Sequence, residues 1–205
     1  MNSCCFQRAR SPEQKAERRA QILQAAEDAF ESDRFQAVAL VDIARQAGVT
    51  KAALYRYFPS KEALFLALYL SELEALADIE LQGGKPLWEQ MADVLIQQRL
   101  FCRLTAILHS VLEQNLDVQQ ARDFKQTLLK HFAVLSGRLQ QHYSLPADKV
   151  NKYLMQVQQS IIGCWIVSNP APVIDHLLTE PPLSIFRVEF AEALRQQLKA
   201  LESAL

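Results

Sequence analysis

Glycine is scarce: the chain has 5 in 205 residues, where average usage of about 7% would give roughly fourteen. That shortage argues against Gly-rich phosphate loops and against β architectures with many turns. Long apolar runs are missing too. The longest, Ala63–Leu70 and Ile161–Val167, fall short of the roughly 18 residues a bilayer span needs. The opening stretch MNSCCFQRAR has no apolar core, so no secretory signal is expected, and the chain reads as cytoplasmic with no membrane partner. Cys4, Cys5, Cys102 and Cys164 show neither C-x-x-C spacing nor the density of a disulfide scaffold. Cys102 and Cys164 sit among apolar neighbours as small core residues, with reduced thiols the default. Neither sign of charge dominates, the net being −1.

What the chain does have is apolar side chains, 50% by composition, against 22% charged. That balance excludes a disordered chain and leaves ample length for a buried core. The 8 prolines cut the sequence into helical blocks, because proline is excluded from helix interiors. Ser11-Pro12-Glu13-Gln14 predicts a helix start, with Ser11 as N-cap, Pro12 at the first helical position and Gln14 closing a capping box. The helix runs to about Phe30, with Ile22, Ala25, Ala26, Ala29 and Phe30 on one stripe. Two short helices follow, Val41–Ala47 and Lys51–Tyr57. Gly48 supplies the positive φ that ends the first, and Thr50 caps the second. That is the grammar of a helix-turn-helix. Ser60 caps a long apolar helix from Lys61 to about Leu81, and Gln82–Pro86 is a loop. Further helices are expected at about 86–99, 100–115, 118–143, 147–168, 171–179 and 183–203.

Two of these helices carry more apolar surface than one face holds. Val150, Leu154, Val157, Ile161 and Cys164 step 4, 3, 4, 3 along one seam, while Tyr153, Ile162, Trp165 and Ile166 point elsewhere. In the last helix Phe186, Phe190, Leu194, Leu198 and Leu201 share a face. A helix apolar all round is covered either by its own domain or by a second subunit. We expect Val150, Leu154, Val157, Ile161, Phe186, Phe190, Leu194 and Leu198 to form a homodimer contact, with burial inside the monomer as the alternative.

Charge is patterned locally. Residues 1–65 carry ten Lys/Arg against eight Asp/Glu, and Lys51–Lys61 holds Lys51, Arg56 and Lys61 with no acid. Phosphate contacts draw on such clusters. Across the turn the sequence runs Ile43-Ala44-Arg45-Gln46-Ala47-Gly48-Val49-Thr50-Lys51-Ala52-Ala53-Leu54-Tyr55-Arg56-Tyr57-Phe58-Pro59-Ser60-Lys61-Glu62-Ala63-Leu64. This resembles the DNA-binding motif of the TetR family of transcriptional regulators, I-A-x-x-A-G-V-[ST]-x-x-x-L-Y-x-[HY]-F-x-[ST]-K-x-x-L. With the first helix, the resemblance covers about the first third of the chain; the remainder matches only in layout.

The resemblance implies an all-α protein: a three-helix helix-turn-helix DNA-binding domain at 1–60, then a larger helical effector-binding and dimerisation domain at 61–205. It implies a homodimer on a near-palindromic double-stranded DNA operator, most often a repressor released by a small-molecule effector. Lys51–Tyr57 becomes the recognition helix. Thr50 and Lys51 reach base edges or nearby phosphates, Tyr55, Tyr57 and Lys61 hold the backbone, and Ala52 and Ala53 pack on thymine methyls. Arg56 is divided between phosphate and solvent, and Arg45 leans to solvent. The chain departs from the family pattern at Arg34, where a glycine usually ends the first helix, and at Val38 and Ala39, where threonines usually open the second.

On the effector side the expected pocket residues are Trp88, Met91, Leu95, Phe101, Leu104, Leu108, Phe132 and Trp165, each of which is otherwise plain core. His109 and Glu113 stand at i, i+4, half a metal site or a surface polar pair; the polar pair is the expectation, with no metal and no cofactor. The sequence carries no nucleophile elbow, no Walker or dinucleotide glycine pattern and no two-His metal motif, so no enzyme is expected. The rival reading is an all-helical small-molecule carrier without specific DNA binding.

Overall fold

The computed structural model describes residues 11–205, and the described chain divides into two compact units after Leu68. Arg8, Arg10, Cys4 and Cys5 lie outside the described residues. The N-terminal unit holds α1 (Pro12–Ser32), α2 (Leu40–Gln46), α3 (Lys51–Tyr57) and the start of α4 (Lys61–Ala77). Its division falls beyond the expected 60/61 boundary because the first turns of α4 complete its core. Ile22, Ala26, Phe30, Ile43, Leu54, Leu64 and Phe65 are all buried. Phe65 makes T-shaped contacts with Phe30 and Phe35 at centroid distances of 5.2 and 5.1 Å. Each such side chain contributes about 1.5–3 kcal/mol on burial.

Local chemistry explains the element ends. Ser11 and Gln14 form the reciprocal capping box, Gln14 N–H donating to Ser11 Oγ at 3.2 Å and Ser11 N–H to Gln14 Oε1 at 3.3 Å. α1 ends at Asp33 in extended backbone (φ −129°), with its N–H on the Ala29 carbonyl. No left-handed residue is needed there, and Arg34 stands without strain where the family resemblance leads one to expect glycine. α2 has no side-chain cap at Ala39, as the loss of the threonine predicts. Its C-terminus is a Schellman motif: Gly48 has φ +63°, Val49 N–H donates to Ala44 O at 2.9 Å and Gly48 N–H to Arg45 O at 3.1 Å. Thr50 Oγ1 then accepts from Ala53 N–H at 3.1 Å and opens α3, and Ser60 Oγ accepts from Ala63 N–H at 3.0 Å and opens α4.

The C-terminal unit contains the rest of α4, then α5 (Leu87–Gln97), α6 (Arg99–Ile107), a π-helical turn (Leu108–Leu112), α7 (Val118–Tyr143), α8 (Ala147–Ser168), α9 (Pro172–Leu177), a 3-10 turn (Leu183–Phe186) and α10 (Phe190–Glu202). α8 is central, packed on α6, α7 and α10, and α10 also lies along α5. No strand occurs among the described residues. α4 stops at Ala77 rather than near Leu81 because the Arg138 guanidinium of α7 donates to the carbonyls of Ala77 and Ile79 and draws the chain away. The block expected at 100–115 changes from α to π geometry at Leu108. The wider turn keeps Leu108 and Leu112 buried and leaves His109 half exposed. The last helix starts at Phe190, not near 183, because Leu183–Phe186 closes as a separate turn and Glu189 is extended.

The seam expected to join two subunits is covered by its own chain instead. Val150, Leu154, Val157, Ile161, Phe190, Leu194 and Leu198 are all buried within the monomer, where α6, α7 and α10 close over α8. Phe186 is not on α10 at all and is 68% exposed.

Candidate nucleic-acid interface and ligand cavity

In the N-terminal unit α3 is held from beneath and open above. Leu54 and Phe58 are buried, and Arg19 of α1 lies over the Phe58 ring, its guanidinium carbon 5.4 Å from the centroid. Thr50, Lys51, Ala52, Tyr55 and Arg56 are exposed, while Ala53 and Tyr57 are half-buried. Lys51 Nζ lies 5.9 Å from the Tyr55 ring centroid, so both reach out along one side of the helix. The first turn has no acid, so no carboxylate offsets the partial positive charge of the helix N-terminus. Gln46 Nε2 donates to Asp28 Oδ2 at 2.6 Å, tying α2 to α1.

One cation, Lys61, differs from the sequence expectation in what it does. Lys61 does not reach outward: its ammonium donates to the Phe35 carbonyl and lies 4.3 Å from the Phe35 ring centroid. Burial holds its pKa below the ordinary lysine value. Lys61 is therefore a strut between α4 and the α1–α2 connection. Arg45 pairs with Asp42 on the exposed side of α2, where such a pair contributes little. Arg56 remains exposed.

The C-terminal unit encloses a cavity of about 380 Å³ between α4, α5, α6, the π turn, α7 and α8. This lies within the 300–1,000 Å³ range typical of small-molecule sites. Of the residues expected there, Met91, Leu95, Phe101 and Phe132 line it. The other four do not. Leu104 and Leu108 are fully buried core. Trp88 carries the Lys199 ammonium 5.6 Å above its ring, and Trp165 meets Phe190 edge-on at 5.1 Å and Arg99 at 5.5 Å. Leu154, Val157 and Ile161, expected at a subunit contact, face the cavity.

Sequence reasoning missed the polar lining. Tyr69 stacks on Phe101 at 5.3 Å. Burial pushes its hydroxyl up to about 12, partly offset by its hydrogen bond with Thr105. His109 and Glu113 do form the polar pair, with Nδ1 and Oε2 3.0 Å apart, and Lys125 Nζ donates to Glu113 Oε1 at 2.6 Å. Partial burial raises the Glu113 pKa, but the hydrogen bonds from Lys125 and His109 outweigh it and hold the carboxyl below its ordinary value. Gln158 Nε2 lies 3.4 Å from His109 Nε2. The i, i+4 spacing of His109 and Glu113 was the available signal; the lysine that completes the cluster is on another helix. No group of three or more side chains suited to a metal occurs among the described residues.

A helix-turn-helix with an open second helix, on a chain whose other unit folds around a small-molecule-sized cavity, defines a class: one-chain DNA-binding proteins with a helical ligand domain. Residues 22–68 match the family model for bacterial regulatory proteins of the tetR family, and residues 65–203 match the tetracyclin repressor-like C-terminal domain. The second match alone covers more than half of the chain. The chain belongs to the tetR family of bacterial regulatory proteins.

Among curated proteins it is 33% identical over 160 residues to the HTH-type transcriptional regulator RutR of Escherichia coli, covering 77% of this chain and 66% of RutR. It is 47% identical over 55 residues to the nucleoid occlusion factor SlmA of Marinobacter nauticus, covering 27% of this chain and 28% of SlmA. The matched part is thus less than two thirds of either relative. A tetR-family transcriptional regulator from Streptomyces coelicolor shares the fold, with TM-score 0.55 and 18% identity over 91% of this chain and 79% of that one. No helix among the described residues is long and apolar enough to cross a membrane.

Proposed function

We propose that the chain is a DNA-binding transcriptional regulator, a repressor without catalytic activity, that binds a near-palindromic operator as a homodimer and is released when a small molecule fills the cavity of its C-terminal unit. The observation that carries this reading is the outward face of α3, where Thr50, Lys51, Ala52, Tyr55 and Arg56 are exposed on a helix anchored by buried Leu54. A helix N-terminus with a lysine and a tyrosine beside it fits phosphate oxygens, and Ala52 is small enough to pack on a thymine methyl. Two such helices in a dimer enter successive major grooves about 34–36 Å apart.

The regulatory half of the reading is supported by α4. It contributes Leu64 and Phe65 to the core of the reading unit, and Tyr69, Leu73 and Leu76 to the cavity wall. A ligand shifts DNA affinity only if it binds one arrangement of this helix better than another.

The test is fluorescence anisotropy of the duplex next to the coding region, at two salt concentrations. Specific binding is expected to weaken with salt, Lys51→Ala to reduce the salt slope by about one, and Tyr55→Ala to weaken binding. Wild type and both variants behaving alike would exclude reading by α3 and leave the carrier reading.

A further inference from the structure

The cavity wall is carbon for most of its area. Leu73, Met91, Leu95, Phe132 and Leu135 offer no hydrogen-bonding side chain, so a polar group set against them is left unpaired. Two polar lining residues deeper in the wall are already engaged, Thr105 Oγ1 donating to the Phe101 carbonyl at 2.8 Å and bonding Tyr69. What the wall leaves for a ligand's polar end is the cluster of Lys125, His109 and Gln158. The side chains of His109 and Lys125 are 50% and 51% exposed, which places this cluster where the cavity meets solvent.

The sign of that end follows from how Glu113 is used. Glu113 does not line the cavity, and both of its oxygens are taken, Oε1 by Lys125 and Oε2 by His109. The acceptor charge lies behind the lysine. The Lys125 ammonium has three donors, and its bond to Glu113 uses one. A cationic ligand meets Lys125 before any carboxylate and must break the Lys125–Glu113 pair to gain one. An anionic ligand completes the existing arrangement with charge-assisted bonds.

We propose that the cavity binds an amphipathic carboxylate, its apolar body against the carbon wall and its carboxylate on Lys125 at the mouth. This rests on the reading of the cavity as the effector site and names the chemical class of the effector.

The test is calorimetric titration of the full chain with three probes of one body and different ends, decanoate, 1-decanol and decylammonium, below their aggregation concentrations. Decanoate is expected to bind at least tenfold tighter than the other two. Lys125→Met keeps the stem and removes the charge; it is expected to erase the decanoate preference and leave 1-decanol binding unchanged, while Lys125→Arg retains the preference. The proposal is overturned by equal binding of the three, by preference for decylammonium, by a decanoate preference that survives Lys125→Met, by loss of both ligands in that variant, or by no binding at all. Anisotropy with the duplex, run on the same unliganded protein, separates the two readings. Duplex binding without decanoate preference removes this assignment alone; decanoate preference without duplex binding removes the regulator reading alone.

Discussion

Gly48 carries the turn between α2 and α3 on a backbone angle that L side chains resist. Its φ is +63°, and a Cβ built there meets no atom within 4 Å, so the cost of replacing it is conformational rather than steric. Gly48→Ala is expected to destabilise the N-terminal unit by about 1–2 kcal/mol, read as a lowered urea midpoint, and to weaken duplex binding by loosening the angle at which α3 is presented. Glu113 is the complementary case, a residue whose environment acts on charge. Its carboxyl is held below its ordinary value by Lys125 and His109, so its stabilising effect is complete above that ordinary value and is lost as pH falls through the folded-state pKa. Denaturant midpoints taken down the acid limb should therefore fall less steeply for Glu113→Gln than for wild type. Equal slopes would mean that the pair is too well solvated to matter.

At the scale of elements, caps and turns were legible in the sequence because each is decided by a few adjacent residues. Ser11 with Gln14, Gly48 with Val49, and Thr50 with Ala53 fix their own geometry whatever surrounds them. The absent cap of α2 was legible in the same way, and it is correctable. Ala39 already holds φ −106° and ψ 131° without a side-chain bond, so Ala39→Ser is expected to gain about 0.5–1 kcal/mol, measured as a raised thermal midpoint with duplex affinity preserved. What periodicity could not supply was the identity of each covering partner. The seam of Val150, Leu154, Val157 and Ile161 reads as apolar in either a dimer or a monomer; only the closure of α6, α7 and α10 over α8 decides between them. Long-range caps were equally hidden. The amides of Leu87 and Trp88, at the start of α5, are taken by the Glu202 carboxylate at 3.3 and 2.7 Å, and the carbonyls ending α4 by Arg138, partners that no local window contains.

At the scale of the whole molecule, correcting the seam moves the proposed dimer contact to surface that the monomer leaves open. The outward strip of α8 runs through Gln159, Ile162, Gly163 and Ile166; Gln159 and Gly163 are exposed, Ile162 is half-buried and Ile166 is 57% exposed. α10, packed on α8, leaves Ala193 half-buried and Gln197 and Ala200 exposed. Small residues on two packed helices allow a second copy to approach closely, and a symmetric contact needs only one self-complementary patch. A charge at its centre should break it without touching the core. Ile166→Glu is expected to sediment as a monomer at concentrations where wild type is a dimer, and to lose most operator affinity, because one reading helix then binds without its twin. Leu129→Glu places the same charge at a 64% exposed position on α7 and is expected to leave the dimer intact. If Ile166→Glu remained dimeric while Leu129→Glu dissociated, the subunits would meet through α7, and the strip on α8 would be ordinary exposed surface.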